Sequence, residues 1–183
     1  MTTTIVIIII VAILAIWLVS IYNRLVKLRN NRENAFANID VQLKQRCDLI
    51  PQLVATVKGY ATHEKETLQR VTDARAASMG AQTINDKVKA DNMMTSALAG
   101  LKVSLEAYPD LKANQNFLEL QSQLEGTENR INVARKDFND AAKEYNVAIR
   151  RFPKSLIAGM CGFDKKNYFE AEAGADKAPK VEF

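Results

Sequence analysis

The sequence predicts an all-α fold: a single N-terminal transmembrane helix continuing into an antiparallel four-helix bundle. Three observations carry that expectation. Glycine and proline number only 7 and 4 among 183 residues. That is about half the share of an average globular protein, and it disfavours turn-dense β architectures, collagen-like repeats and low-complexity chains. The chain also opens on an uncharged stretch in which Ile5 to Ile21 is broken only by Ser20. Beyond it, apolar residues recur at helical spacing.

The opening run is the predicted membrane anchor, residues 1–23. Its 17 residues reach roughly 26 Å as a helix, close to the hydrocarbon thickness of a bilayer. Ile5, Ile10, Leu14 and Ile21 fall within the apolar layer, while Trp17 and Tyr22 suit its interface, where a ring has one end in lipid and one in water. A cleaved signal peptide fits less well, because no basic segment precedes the run and no pair of small residues follows it. No cysteine lies near enough for a lipoprotein anchor. A cluster of cations comes next, Arg24, Lys27, Arg29 and Arg32, with no acid among them. Lys and Arg beside a transmembrane end stay on the cytoplasmic side, so the N-terminus is expected outside and the body in the cytoplasm.

Charge and cysteine usage narrow the class of function. The chain holds 25 basic and 21 acidic residues, and with that cluster set aside the remainder balances at 21 of each. A nucleic-acid partner is not expected, since phosphate binding needs an excess of cations spread over a face. Cys47 and Cys161 stand far apart, which argues against a disulfide framework and agrees with a reducing compartment.

Residues 24–153 are the predicted bundle. Leu25, Leu28, Phe36, Ile39 and Leu43 extend the anchor helix, and the stretch from Cys47 to Pro51 predicts a break. Asp48 would cap a second helix there, with Pro51 in its first turn. That helix carries Ile50, Leu53, Val57, Leu68 and Val71 and fades near Met79-Gly80. A third runs from about Ile84 to Leu105 and stops before Tyr108-Pro109, because the residue preceding proline is pushed out of helical geometry. In the fourth, Phe117, Leu124, Ile131, Phe138, Tyr145 and Phe152 recur every seven residues, beside a column that becomes small at Ala134, Ala141 and Ala148. Such a pairing is a core seam between closely packed helices. The fourth helix is about a dozen residues longer than the first helix outside the membrane, so either it overhangs or the break near Cys47 is misplaced. Residues 154–183 form a tail that is either membrane-proximal or folded over the bundle end. It mixes Leu156, Ile157, Met160, Phe163, Tyr168 and Phe169 with lysines.

No catalytic, cofactor-binding or metal site is predicted. The seven glycines form no phosphate-binding loop. One histidine, His63, cannot supply the two Glu-x-x-His pairs of a di-iron bundle or a histidine-rich zinc centre. Cys47 and His63 lack a third group to orient the imidazole, and His63 is expected at a solvated helix surface. Charge on apolar faces is the more informative feature. Glu64, Arg75, Glu128 and Arg135 lie at core-proximal spacing, either as boundary residues reaching solvent or as an interhelix polar network that fixes register. Asn129, Asn139 and Asn146 follow the fourth helix at steps of seven or ten.

These residues also carry a resemblance. Tyr22-Asn23-Arg24-Leu25-Val26, the block from Asn38 to Arg46 with Asp48-Leu49-Ile50-Pro51, Val57-Lys58-Gly59-Tyr60-Ala61, Tyr108-Pro109-Asp110-Leu111-Lys112, Thr127-Glu128-Asn129, Tyr145-Asn146 and Phe152-Pro153 resemble the LemA family of bacterial membrane-anchored helical proteins. The resemblance implies a cytoplasmic helical bundle on a membrane helix at the bacterial inner membrane, with no family catalytic residue to carry over. Relatives include a magnetosome-membrane protein, MamQ, and others that occur with membrane proteases or envelope-stress functions. The expected role is therefore a non-enzymatic scaffold in contact with membrane lipid, assembling with itself or with partners; the alternative is an adaptor or regulator of a membrane-embedded protease.

Overall fold

The computed structural model describes residues 1–61 and 63–169, and among them there are helices and turns but no strand. The helices are α1 (Thr2–Lys58), α2 (Lys65–Gly80), α3 (Ile84–Ser104), α4 (Pro109–Lys112), α5 (Gln115–Ala148) and α6 (Lys154–Met160), with a 3-10 turn over Leu105–Ala107. The all-α expectation holds, and α1 contains the one stretch among the described residues that is long and apolar enough to cross a membrane. The part of the tail expectation beyond residue 169 lies outside the described residues. The chain divides into two compact units.

One unit includes Ile39–Val133. Its core draws Ile50, Leu53 and Val57 from α1, Leu68 and Val71 from α2, Met94 and Leu101 from α3, and Phe117 and Leu124 from α5. The expected break near Cys47 does not occur: α1 runs on to Lys58 with Pro51 inside it. Proline has no N–H to give to the carbonyl four residues back, which here belongs to Cys47, and interior proline ordinarily costs about 3 kcal/mol. Arg75 of α2 supplies the missing donor, its Nε reaching the Cys47 carbonyl oxygen at 3.0 Å. The helix stops instead at Gly59-Tyr60-Ala61, where the Tyr60 and Ala61 amides both turn back to the Val57 carbonyl. Moving the break from Cys47 to Lys58 adds about three turns to α1, which accounts for the missing length of the first helix.

Further along, Thr83 caps α3 by accepting a hydrogen bond from the Asp86 amide at 3.1 Å, and its hydroxyl donates to the Asp86 carboxylate. The first bond satisfies one of the donors that a helix start leaves open, and the second holds the Thr83 hydroxyl in place. The chain leaves helical geometry before Tyr108, as expected, and Pro109 then opens α4, where its missing N–H is not needed.

The other unit comprises Met1–Asn38 and Ala134–Tyr168. Ile21, Leu25 and Leu28 of α1 join Tyr145 and Ala148 of α5, and Ala158 and Phe163 of the tail complete the cluster. Phe36 meets Phe138 with ring centroids 5.6 Å apart. The aromatic column of α5 is buried at Phe138 and Tyr145 but not at its expected last member. Phe152 is 79% exposed, because α5 ends at Ala148 and the following turn carries residue 152 off the helix face. Gly162 adopts φ +71°, a left-handed conformation that admits glycine without strain, so the chain reverses and returns Phe163 to the core.

Candidate functional site

The anchor is built as a helix whose side chains the rest of the chain leaves bare. Ile5, Ile10, Leu14, Trp17 and Tyr22 are exposed, and Ile21 is the first to be buried. In water an all-round apolar helix of this length would have nothing to cover it; a bilayer would. Immediately after it the four cations divide into two pairs. Arg24 and Lys27 are exposed. Arg29 lies 5.6 Å from the centroid of Phe163 and Arg32 lies 6.0 Å from that of Tyr145, so each guanidinium faces an aromatic ring. Both arginines also approach Glu33, at 4.0 and 3.6 Å.

These aromatics are held by hydrogen bonds to the tail. The Tyr145 hydroxyl donates to the Asp164 carbonyl at 3.1 Å. Asn146 Nδ2 donates to the Lys166 carbonyl at 2.9 Å, while the Lys166 amide donates back to Asn146 Oδ1 at 2.9 Å. A side-chain amide thereby imitates a strand partner for an irregular segment, satisfying backbone groups that helices cannot reach. Burial pushes the Tyr145 phenol above its ordinary pKa, with the Arg32 and Arg29 charges opposing it.

In the unit containing Ile39–Val133, the polar centre is an ion pair taken almost wholly out of water. Arg46 is 2% exposed and Asp91 1%. Arg46 Nη1 contacts Asp91 Oδ1 at 2.9 Å and donates to the Thr95 hydroxyl at 3.1 Å. Its Nη2 lies 3.7 Å from Glu128, whose side chain is about half exposed. A charge-assisted bond of this length is among the stronger polar contacts a fold makes.

The four residues expected in an interhelix polar network are distributed differently. Glu128 faces Arg46. Arg75 bonds the Cys47 carbonyl. Glu64 accepts from the hydroxyls of Tyr108 and Thr67, each at 3.3 Å. Arg135 is half-buried on α5, in the unit that holds Ala134–Tyr168. The residues at the centre of the charged pair, Arg46 and Asp91, were not singled out from the sequence. A signal was present, since Asp91 follows Val88 by three residues and precedes Met94 by three, the position of an apolar residue on that stripe.

Little here supports bond-making chemistry. Cys47 is buried, and burial raises its thiol pKa, the opposite of an activated nucleophile. His63 is exposed in the turn between α1 and α2, not on a helix face. Among the described residues no group of three His, Cys, Asp or Glu side chains could hold a metal ion.

Fold and site together define an all-helical protein carrying one helix able to cross a membrane. The chain belongs to the LemA family, whose model matches residues 35–183. It is 25% identical to magnetosome protein MamQ of Magnetospirillum gryphiswaldense, over 85% of this chain and 66% of that protein. Magnetosome protein MamQ 2 of Paramagnetospirillum magneticum is 24% identical with the same coverage. Protein LemA of Metamycoplasma hominis is 26% identical over 74% of this chain and 63% of its own length. The chain thus spans just under two thirds of the curated relatives it matches. The family match begins beyond the apolar run, so the anchor rests on its own chemistry.

Proposed function

We propose that this protein is a non-enzymatic, membrane-anchored helical scaffold that assembles with itself or recruits partners at the bacterial inner membrane and organises it. The observation that carries this reading is the bare apolar segment of α1 followed by an acid-free group of cations. Anchored in this way, the helical body is tethered at a surface, where weak lateral contacts act at high effective concentration. Similarity to two magnetosome proteins supports work at a membrane compartment.

In this reading the N-terminus lies outside and the body in the cytoplasm, because the cations follow the span. Cys161 is exposed and Cys47 buried, so a membrane-impermeant maleimide should reach Cys161 only after the inner membrane is permeabilised. Labelling in cells with an intact inner membrane would overturn the orientation. For the scaffold itself, native cross-linking in membranes followed by mass analysis should give a ladder in steps of the 20.4 kDa chain. A single stoichiometric complex between a monomer and a membrane protease would replace the scaffold with an adaptor role.

A further inference from the structure

The tail segment between α5 and Phe163 buries one face and leaves the other apolar and bare. Ala158 is buried in the unit's core, whereas Leu156 and Met160, one turn apart on the opposite side of α6, are 61% and 88% exposed. Phe152, in the turn that leads into α6, is 79% exposed. Three large apolar groups exposed within nine residues of chain call for a cover, unlike apolar residues scattered singly over a surface.

Two observations identify the cover. The first is height. Phe163 meets Tyr22 with ring centroids 5.9 Å apart, and the cluster that holds Ala158 and Phe163 is otherwise built on Ile21, Leu25 and Leu28. Those α1 residues occupy about 10 Å of helix starting at the last residue of the apolar run, the depth of the headgroup layer once the run spans the hydrocarbon. The second is charge. From Ile149 to Phe163 the chain has Arg150, Arg151 and Lys154 and no acid, and from Asn23 to Arg32 it has four cations and no acid. A short apolar face edged by cations, held at headgroup level, matches an anionic lipid surface in both polarity and sign.

We infer that Phe152, Leu156 and Met160 form a second membrane contact, a wedge that enters the headgroup layer of an anionic leaflet while Ala158 and Phe163 pin it to α1. The inference rests on the membrane reading of α1. The wedge holds the unit against the leaflet at a second point, which one transmembrane helix alone, free to tilt and rotate, does not do.

The test uses the full chain in vesicles of phosphatidylcholine with or without phosphatidylglycerol. In a Cys161→Ser background, a fluorescent thiol label is placed at Leu156→Cys or Met160→Cys, both exposed positions. Asp137→Cys is the reference, one residue from Phe138 and so level with Phe36, about 20 Å along α1 from Tyr22. Labels at 156 and 160 should lose emission to a quencher carried on lipid acyl chains and resist iodide, more so with phosphatidylglycerol, while the label at 137 answers to iodide alone. Quenching by iodide at 156 and 160, or lipid quenching equal in the two lipids, would overturn the inference. Shielding from both quenchers would mean a protein covers the face, and would overturn it as well. Trp17, the single tryptophan, separates this failure from failure of the anchor: in unlabelled protein its emission must be quenched by the same lipids if α1 is inserted.

Discussion

The two units solve the same problem, a polar group removed from water, by opposite means. In the unit containing Ile39–Val133, full charges are buried against each other at Arg46 and Asp91. In the unit of Met1–Asn38 and Ala134–Tyr168, Arg32 and the exposed Arg29 lie over aromatic rings, and the buried polar group is a neutral amide, Asn146. The difference lies in what remains when one partner is lost. A buried ion pair adds little over an apolar pair of the same shape, yet is ruinous when halved. A neutral clamp loses only its own hydrogen bonds.

The largest effect is therefore expected at Asp91. Asp91→Ala leaves Arg46 with Thr95 and the distant Glu128, and its Nε makes no hydrogen bond among the described residues. Loss of about 3 to 5 kcal/mol should appear in denaturant melts followed by circular dichroism. Arg46→Met combined with Asp91→Leu should recover most of it. A double variant as unstable as the single one would mean that packing, not uncompensated charge, dominates this unit.

Asn146→Ala comes next, at about 2 kcal/mol, because it removes two bonds to the Lys166 backbone. Limited proteolysis should then cut between Asp164 and Tyr168, a segment expected to resist in the unaltered protein. Equal resistance would show that Phe163 and the Tyr145–Asp164 bond hold the tail without Asn146, and the contrast between charged and neutral solutions would lose one side.

Arg75→Met should cost about 1.5 kcal/mol by orphaning the Cys47 carbonyl. In a Pro51→Ala background that cost should nearly vanish, since the alanine N–H restores the intrahelical bond. A cost independent of residue 51 would show that Arg75 stabilises through some other contact.

The smallest change is expected at Glu64. Its partners are two hydroxyls at 3.3 Å, so Glu64→Gln should cost under about 1 kcal/mol. The sensitive readout is Tyr108, whose phenol is raised above its ordinary pKa by desolvation first and then by the Glu64 charge. A raised phenol pKa means the folded state holds the proton more tightly, so stability is intact at neutral pH and falls as pH climbs past the ordinary value near 10. Glu64→Gln should bring tyrosinate absorbance in at lower pH and weaken that alkaline loss; no movement would mean desolvation acts alone.

What was legible in the sequence was what local pattern determines. The apolar run, the seven-residue column through Phe117, Leu124, Ile131, Phe138 and Tyr145, and the stop before Tyr108-Pro109 all depend on neighbours within a turn or two. What stayed illegible depended on partners far along the chain. Pro51 reads as a helix start because the arginine that lets α1 pass through it lies 24 positions later. Asp91 reads as an oddity on an apolar stripe until Arg46, 45 positions earlier, is beside it. Phe152 extends a period of seven, and no local pattern shows that α5 has already ended.

The bond from Arg75 to the Cys47 carbonyl ties the turn of α1 that crosses Pro51 to another helix. As the chain leaves the ribosome, the segment beyond Cys47 emerges with a gap in its ladder and no means of closing it. That turn gains its last bond when α2 arrives. Completing the hydrogen bonds across Pro51 is thus coupled to the docking of α2 on α1.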